Sequence, residues 1–342
     1  MLLLEKASYY FSKKLPFALF VKPNQVQLNG VFQNTDELVE FSGQKGFVFS
    51  GFYNTKDVVL PFDSCEVIQE NWSYEKQYQE RIYFSDSEGV EFKNLVQKGI
   101  NAIVENQFEK VVLSRKIEIP NDAINSIESF KNLVNTYSSA FRYLFYHPQI
   151  GLWMGATPEQ LVKIKNGEFY TMALAGTQPY SDDIDWGEKE IKEQELVTDF
   201  IKNQIEDKVD TIKISDAITH RAGSIVHLKT DISGSIKSSI QPLDLVKALH
   251  PTSAVCGMPL QQARNFILEH EGYDRKYYSG YLGEWKGMEN SDLFVNLRCC
   301  EFLENTVAVY VGCGITKDSI PEHEFIETFN KSRTIVSILV RG

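Results

Sequence analysis

The sequence lacks any long apolar run. Its start, Met1-Leu2-Leu3-Leu4-Glu5-Lys6, meets charge after four residues, too early for the apolar stretch of a secretory leader. No segment approaches the ~20 apolar residues of a membrane-spanning helix. There is no C-x-x-C and no H-x-x-x-H. The five cysteines (Cys65, Cys256, Cys299, Cys300, Cys313) are odd in number and the six histidines are scattered. A zinc ribbon, a histidine metal site and a disulfide framework are therefore excluded as readings. Reduced thiols in a cytoplasmic protein are expected. Phosphate loops are missing too, since neither G-x-x-x-x-G-K-[ST] nor G-x-G-x-x-G occurs. Positive charge is in deficit: 35 basic against 46 acidic residues give a net charge of −11. A nucleic-acid binder needs a basic surface, so neither a nucleic-acid nor a membrane partner is expected. An anionic small molecule stays open, because a few basic groups can dominate inside a cleft.

What is present reads as globular: 43% of the 342 residues are hydrophobic and 24% charged. No Gly/Ser/Pro linker and no repeat divides the chain, so one domain over 1–342 is expected. The first hundred residues read as short strands between turns, such as Gly46-Phe47-Val48-Phe49-Ser50. Apolar residues recur at helical spacing over 91–106. Lys110–Ile117 alternates as a strand, with Lys110 and Ser114 on its polar face. Further strands are predicted at 150–155, 160–165, 168–174, 293–302 and 306–315, and helices at 127–138, 186–207, 258–271 and 321–334. Strands come in runs between isolated helices, which favours an α+β sheet structure over a doubly wound one.

Two predicted helices carry carboxylates on their inner faces. At 100° per residue, Glu190 and Glu193 continue the apolar stripe of Val197, Phe200 and Ile201, while Glu188, Lys192 and Glu195 fall elsewhere. Near the C-terminus, Ser319-Ile320-Pro321-Glu322 resembles a capping box with proline in the first turn. Glu324, Glu327, Lys331 and Ile335 then share a face. Buried acid pairs need a cation or hydrogen bonds to neutralise them, and two such pairs would supply the oxygen ligands that Mg²⁺ takes. The same pattern also reads as two solvated faces with intrahelical ion pairs, Glu327 with Lys331. Glycine-bearing turns follow strands at Gly155-Ala156-Thr157-Pro158-Glu159, Ala175-Gly176-Thr177 and Gly312-Cys313-Gly314. They read either as plain turns and bulges or as places where backbone amides approach a ligand.

Taken together, KVVLSR at 110–115, GATPE at 155–159, LAGT at 174–177 and KEIKEQ at 189–194 resemble the chorismate-utilising enzymes. So do HPTSAVCGMP at 250–259, RKYYSG at 275–280, LFVNLR at 293–298 and GCGITKDSIPEHEFIETFNK at 312–331. The eight segments stand in family order over roughly 100–340, and residues 1–100 correspond to the family's variable N-terminal part. The resemblance implies an α+β sandwich, two large mainly antiparallel sheets packed face to face with outer helices, as in anthranilate synthase component I. It implies Mg²⁺ as cofactor, with Glu193 and Glu327 as direct ligands and Glu190 and Glu324 in support. Lys331 would lie near the metal-bound carboxylate of the substrate, with Arg298 and Tyr278 on the other carboxylate. Gly176, Thr177 and Gly314 would line the pocket. The family usually has Glu-His where this chain has Glu193-Gln194. Glutamine can donate a hydrogen bond but cannot carry a proton.

Within the family, Lys110 matches the base of members that add water at C2 of the ring. Ala254 stands where ammonia-using and salicylate-forming members more often have threonine, and His250 also resembles isochorismate synthases. The implied activity is isochorismate synthase: Lys110 takes a proton from water and Glu159 protonates the departing C4 hydroxyl. Salicylate synthase, which goes on to expel pyruvate, and a non-catalytic chorismate-binding subunit remain as alternatives. The expected partner is chorismate, and a monomer is expected.

Overall fold

The computed structural model describes residues 2–73, 89–121, 123–181, 183–222 and 225–341. Alternating side chains build two antiparallel sheets. In spatial order the first runs Gly257–Met258, Lys110–Pro120, Thr306–Ile315, Cys299–Phe302, Gly151–Thr157, Phe141–His147, Phe17–Val21, Gln27–Gln33 and Cys65–Asn71. The second runs Lys213–Ile214, Ile225–Ser235, Glu168–Pro179, Gln160–Lys165, Asn290–Val295, Tyr281–Trp285, Gly46–Ser50, Val58–Pro61 and Val39–Glu40; Ile218–Ala222 also pairs with Ile225–Ser235.

Because strand side chains point alternately to opposite faces, each strand serves two cores. Phe141, Tyr143 and Phe145 point between the sheets, where they meet Phe47, Phe49 and Phe294. Their neighbours Leu144 and Tyr146 point outward. The inner layer is aromatic, with Phe49 stacked on Phe145 and Phe141 on Phe294, ring centroids 4.4 Å apart in both pairs. Such offset pairs add to the burial itself.

The outer faces are covered by helices: α1 (Leu3–Ser12), α2 (Gly89–Val104), α3 (Ser126–Thr136), α4 (Glu188–Ile205), α5 (Pro242–Leu249), α6 (Leu260–His270) and α7 (Pro321–Val336). α1, α3 and α7 pack on the first sheet, α4 and α5 on the second. α2 and α6 close the end that holds Val111, Leu113 and Ile315. Asn125 caps α3 by accepting from the amides of Ile127 and Glu128, both at 3.1 Å. Among the described residues no helix is long and apolar enough to cross a membrane.

The α+β sandwich expected from the sequence is present. Several local expectations are corrected. The predicted strand 293–302 is two strands in different sheets, Asn290–Val295 and Cys299–Phe302. Between them Asn296, fully buried, accepts from the Tyr143 hydroxyl at 2.7 Å and donates to the Tyr277 carbonyl at 2.9 Å. Arg298 then turns into the left-handed region at φ +48°. The chain thus crosses from one layer to the other. Ser319 does not cap α7: the helix starts at Pro321 with Ile320 as cap residue and no side-chain cap, while the Ser319 hydroxyl takes the Thr316 amide at 3.1 Å. The N-terminal hundred residues hold α1 as well as strands, since Leu3, Ala7 and Tyr10 bury one helical face. Their strands extend both sheets.

Candidate active site

The site lies where strands of both sheets meet the first turns of α4 and α7. Lys110 begins its strand, and its Nζ donates to Glu193 Oε1 at 2.9 Å. The lysine stem passes over Gly314, where an added Cβ would stand 3.1 Å from Cε. Glu190, one turn before Glu193, packs against Gly176. That glycine sits at φ +66° in a bulge of the Glu168–Pro179 strand, and a Cβ on it would lie 3.2 Å from Cβ of Glu190. Thr177 is the Cα partner of His227; its side chain lies outside the described residues. As the helical wheel implies, Lys192 and Glu195 face solvent and Val197 and Ile201 are buried.

α7 contributes the second set. Lys331 Nζ bonds Glu327 Oε1 at 2.6 Å and the Gly312 carbonyl at 3.0 Å. Burial raises the Glu324 carboxyl above its ordinary range. The negative charge of Glu327 adds to this, while the Ser319 hydroxyl, the Cys313 thiol and Lys331 oppose it. Arg298, at the crossing between the layers, donates to Thr334 Oγ1 at 3.0 Å. Its burial lowers its affinity for the proton, against the fields of Tyr278, Glu327 and Tyr137. The Tyr278 ring stacks on Tyr310 at 5.6 Å, and its hydroxyl lies 2.9 Å from where a Cβ on Gly312 would be. A glycine at 312 keeps that space for the hydroxyl.

Glu159 follows the Gly151–Thr157 strand. Its amide donates to Thr157 Oγ1 at 3.3 Å, and its carbonyl accepts from Val295 N at 2.9 Å. The carboxyl accepts from Thr252 Oγ1 at 3.4 Å. Burial pushes it up to about 7, and Thr252, Lys110 and Lys331 only partly counter this. It therefore carries a proton into the neutral range, which a general acid requires. Lys110, Lys331 and Arg298 bring three cations into this cleft among the carboxylates of α4 and α7.

Two residues missed in the sequence belong here. Thr252 sits two positions before Ala254, inside a segment already singled out. His227 Nδ1 meets the Gly176 carbonyl at 3.2 Å, and its pKa is lowered by burial first, with Lys331 and Arg298 adding to the effect. No strand is expected at 218–235 from the sequence, so nothing there marks His227. Ala254, two positions after Thr252, is half-buried. His250 is placed differently: its Nε2 meets the Gly51 carbonyl at 3.1 Å and its ring packs edge-on to Tyr281. Burial pushes it down to about 4, so it is neutral there. It ties the Gly51 turn to the segment carrying Thr252. Gln194 is buried and donates to the Ala173 carbonyl and Thr230 Oγ1, both at 3.0 Å. The residue that departs from the family pattern thus bonds α4 to its sheet.

A buried pair underlies the site. Arg275 donates to Glu271 Oε2 at 2.8 Å, to Val255 O at 2.9 Å and to Val112 O at 2.7 Å, while Glu271 accepts the Ser114 amide at 2.7 Å. The Lys110 strand and the segment next to Ala254 are held to one guanidinium.

This sandwich, with two acid-bearing helices over a cleft that also holds Lys110, Lys331 and Arg298, is the architecture of chorismate-binding enzymes. The family model described as chorismate binding enzyme matches residues 63–340, and the chain belongs to that family. It is 32% identical over 255 residues to the salicylate biosynthesis isochorismate synthase of Pseudomonas aeruginosa, a match covering 71% of this chain and 53% of that protein. The chain thus spans about half the length of that relative. The structure of the 2,3-dihydroxybenzoate-specific isochorismate synthase DhbC of Bacillus anthracis superposes with a TM-score of 0.80 at 22% identity, covering 98% of this chain and 99% of that one. Anthranilate synthase component I of Streptococcus pneumoniae gives 0.72 at 19% identity, covering 94% and 90%.

Proposed function

We propose that the protein is an isochorismate synthase that isomerises chorismate with Mg²⁺. The observation that carries this reading is Glu159, an acid raised to about 7 and lying in the fields of Lys110 and Lys331. It is supported by family membership and by relatives that are themselves named isochorismate synthases.

The substrate is a dianion, and Arg298 with Tyr278 offers a guanidinium and a hydroxyl to one carboxylate. A planar guanidinium suits a carboxylate better than an ammonium does. Lys331, anchored at the Gly312 carbonyl, faces the other. Lys110 takes a proton from water as the water oxygen bonds to C2. The ring electron pair shifts, the C4–O bond breaks, and Glu159 gives its proton to the departing hydroxyl, which leaves as water. Lys110 ends protonated and Glu159 ionised, and exchange with solvent resets both.

The donor set fits a hard divalent ion, because Glu190, Glu193, Glu324 and Glu327 offer only carboxylate oxygens. Among the described residues no three Asp, Glu, His or Cys side chains gather into a ready cage. Mg²⁺ is commonly held by one or two carboxylates, with water and substrate oxygens completing its shell. Glu193 and Glu327 would hold it, with Glu190 and Glu324 in support, and it would supply positive charge to the ring carboxylate so that the ring could accept electron density.

Chorismate incubated with the protein and Mg²⁺ and followed by NMR should yield isochorismate. Salicylate with free pyruvate would assign the protein to salicylate synthases, and no conversion would sink the enzymatic reading.

A further inference from the structure

The two carboxylates proposed as direct Mg²⁺ ligands stand on different helices, and each is paired with a lysine. Lys110 Nζ is 2.9 Å from Glu193, and Lys331 Nζ is 2.6 Å from Glu327. Neither acid is fully buried: the Glu193 side chain is 31% exposed and that of Glu327 47%, so a small cation can reach both. The two lysines are held differently. Among the described residues Glu193 is the only hydrogen-bonding partner of Lys110. Lys331 has a second bond to the Gly312 carbonyl. Losing its carboxylate would leave Lys331 in place and set Lys110 loose over Gly314, beside Glu159.

We propose that Lys110 and Lys331 are built-in counter-cations of Glu193 and Glu327, which a divalent cation must displace to reach the two carboxylates. This rests on the Mg²⁺ reading above. The lysines hold two helix-borne acid pairs in one cleft, and like charges there would otherwise repel. Displacement by the cation would release Lys110 from Glu193, while Lys331 keeps its bond to the Gly312 carbonyl.

The test is equilibrium binding of Mn²⁺, read from the electron paramagnetic resonance of the free ion, with the full-length protein and its variants. Lys110→Met and Lys331→Met should each bind Mn²⁺ ~10-fold more tightly than the wild type, the scale of one charge-assisted hydrogen bond. Lys110→Gln serves as a second variant should the methionine disturb folding. Lys93→Met is the control: Lys93 pairs with Glu322 at 2.8 Å, outside the cluster, and this variant should match the wild type. Lys110 and Lys331 variants that bind Mn²⁺ no more tightly than Lys93→Met would overturn the proposal while leaving the metal reading intact. If neither the wild type nor any variant binds Mn²⁺, the metal reading falls and this inference falls with it.

Discussion

Gly314 is the floor beneath Lys110: a Cβ added there would stand 3.1 Å from Cε and 3.7 Å from Nζ of the lysine. Both neighbours belong to the far end of a flexible side chain, so the fold can absorb a methyl group there but the lysine cannot keep its course. Gly314→Ala is expected to keep its melting temperature within a few degrees of wild type. It should lower kcat for chorismate by ~10-fold or more, since small displacements of a catalytic group are costly. An unchanged kcat would show that the path of the lysine over the glycine does not matter.

Lys110→Ala and Glu159→Gln remove the proposed base and the proposed acid. Each should lower kcat ~10²-fold or more while substrate binding changes little, and the double variant should lose less than the product of the single losses. Steady-state kinetics with calorimetric binding of chorismate separates the two effects. A near-normal kcat for Lys110→Ala would leave it as an ordinary strand lysine.

The raised pKa of Glu159, about 7, sets a pH dependence. The acid is competent below that value, so the rate should fall as pH climbs through the neutral range. Stability has the same sign. The folded protein holds this proton up to about 7 and the unfolded chain releases it near 4.5. Stability from this group is therefore full below the unfolded value and lost as pH rises through the folded one. Glu159→Gln escapes that loss. It should gain ~1–3 kcal/mol over wild type at pH 8 and little at pH 4, measured by urea unfolding at both. Equal differences at the two pH values would contradict the assignment.

Arg275 and Glu271 are both almost fully buried. Removing one partner strands the other as an unpaired charge, so Arg275→Met should destabilise by ~3–5 kcal/mol in denaturant unfolding. Replacing both with apolar residues should recover part of the loss. A loss below ~1 kcal/mol in the single variant would show that the pair is not a structural tie.

Chelation tests the cofactor directly. Turnover should vanish in excess EDTA and return with Mg²⁺, and Glu193→Ala or Glu327→Ala should lose turnover while staying folded. Full activity with EDTA present would refute the metal assignment.

The parts of the fold that were legible carry a single, strong period. The strands at 160–165 and 306–315 lie where alternation places them, and α4 buries Val197 and Ile201 as the helical wheel assigns. On α7 Ile335 is buried, but Glu327, assigned to the same inner face, is exposed because it pairs with Lys331 at the mouth of the cleft. The candidate site was legible through its ordered motifs, whose members Lys110, Glu159, Glu193, Arg298, Glu327 and Lys331 converge around one cleft. What escaped was set by tertiary contacts. Nothing local at Asn296 announces that its amide will be shared by Tyr143 and Tyr277, so the strand before it and the strand after it read as one. His227 gains its place only through the bulge at Gly176, on a strand far away in sequence. Ser319 stood one residue too early to cap α7, a boundary error that a side-chain pattern cannot resolve.

The passage of the chain through Asn296 to Arg298 has a mechanical consequence. The two layers are sewn together by backbone at the point where the guanidinium is displayed. Any sliding of one layer against the other would carry Arg298 together with Lys110 and Gly314, which share its sheet, past Glu190 and Glu193 on the helix packed against the other layer. Alignment of the sandwich and the contact of Lys110 with Glu193 are thus a single degree of freedom. A substitution in the aromatic interior, at Phe49 or Phe294 for instance, would register as a change in that contact between the layers.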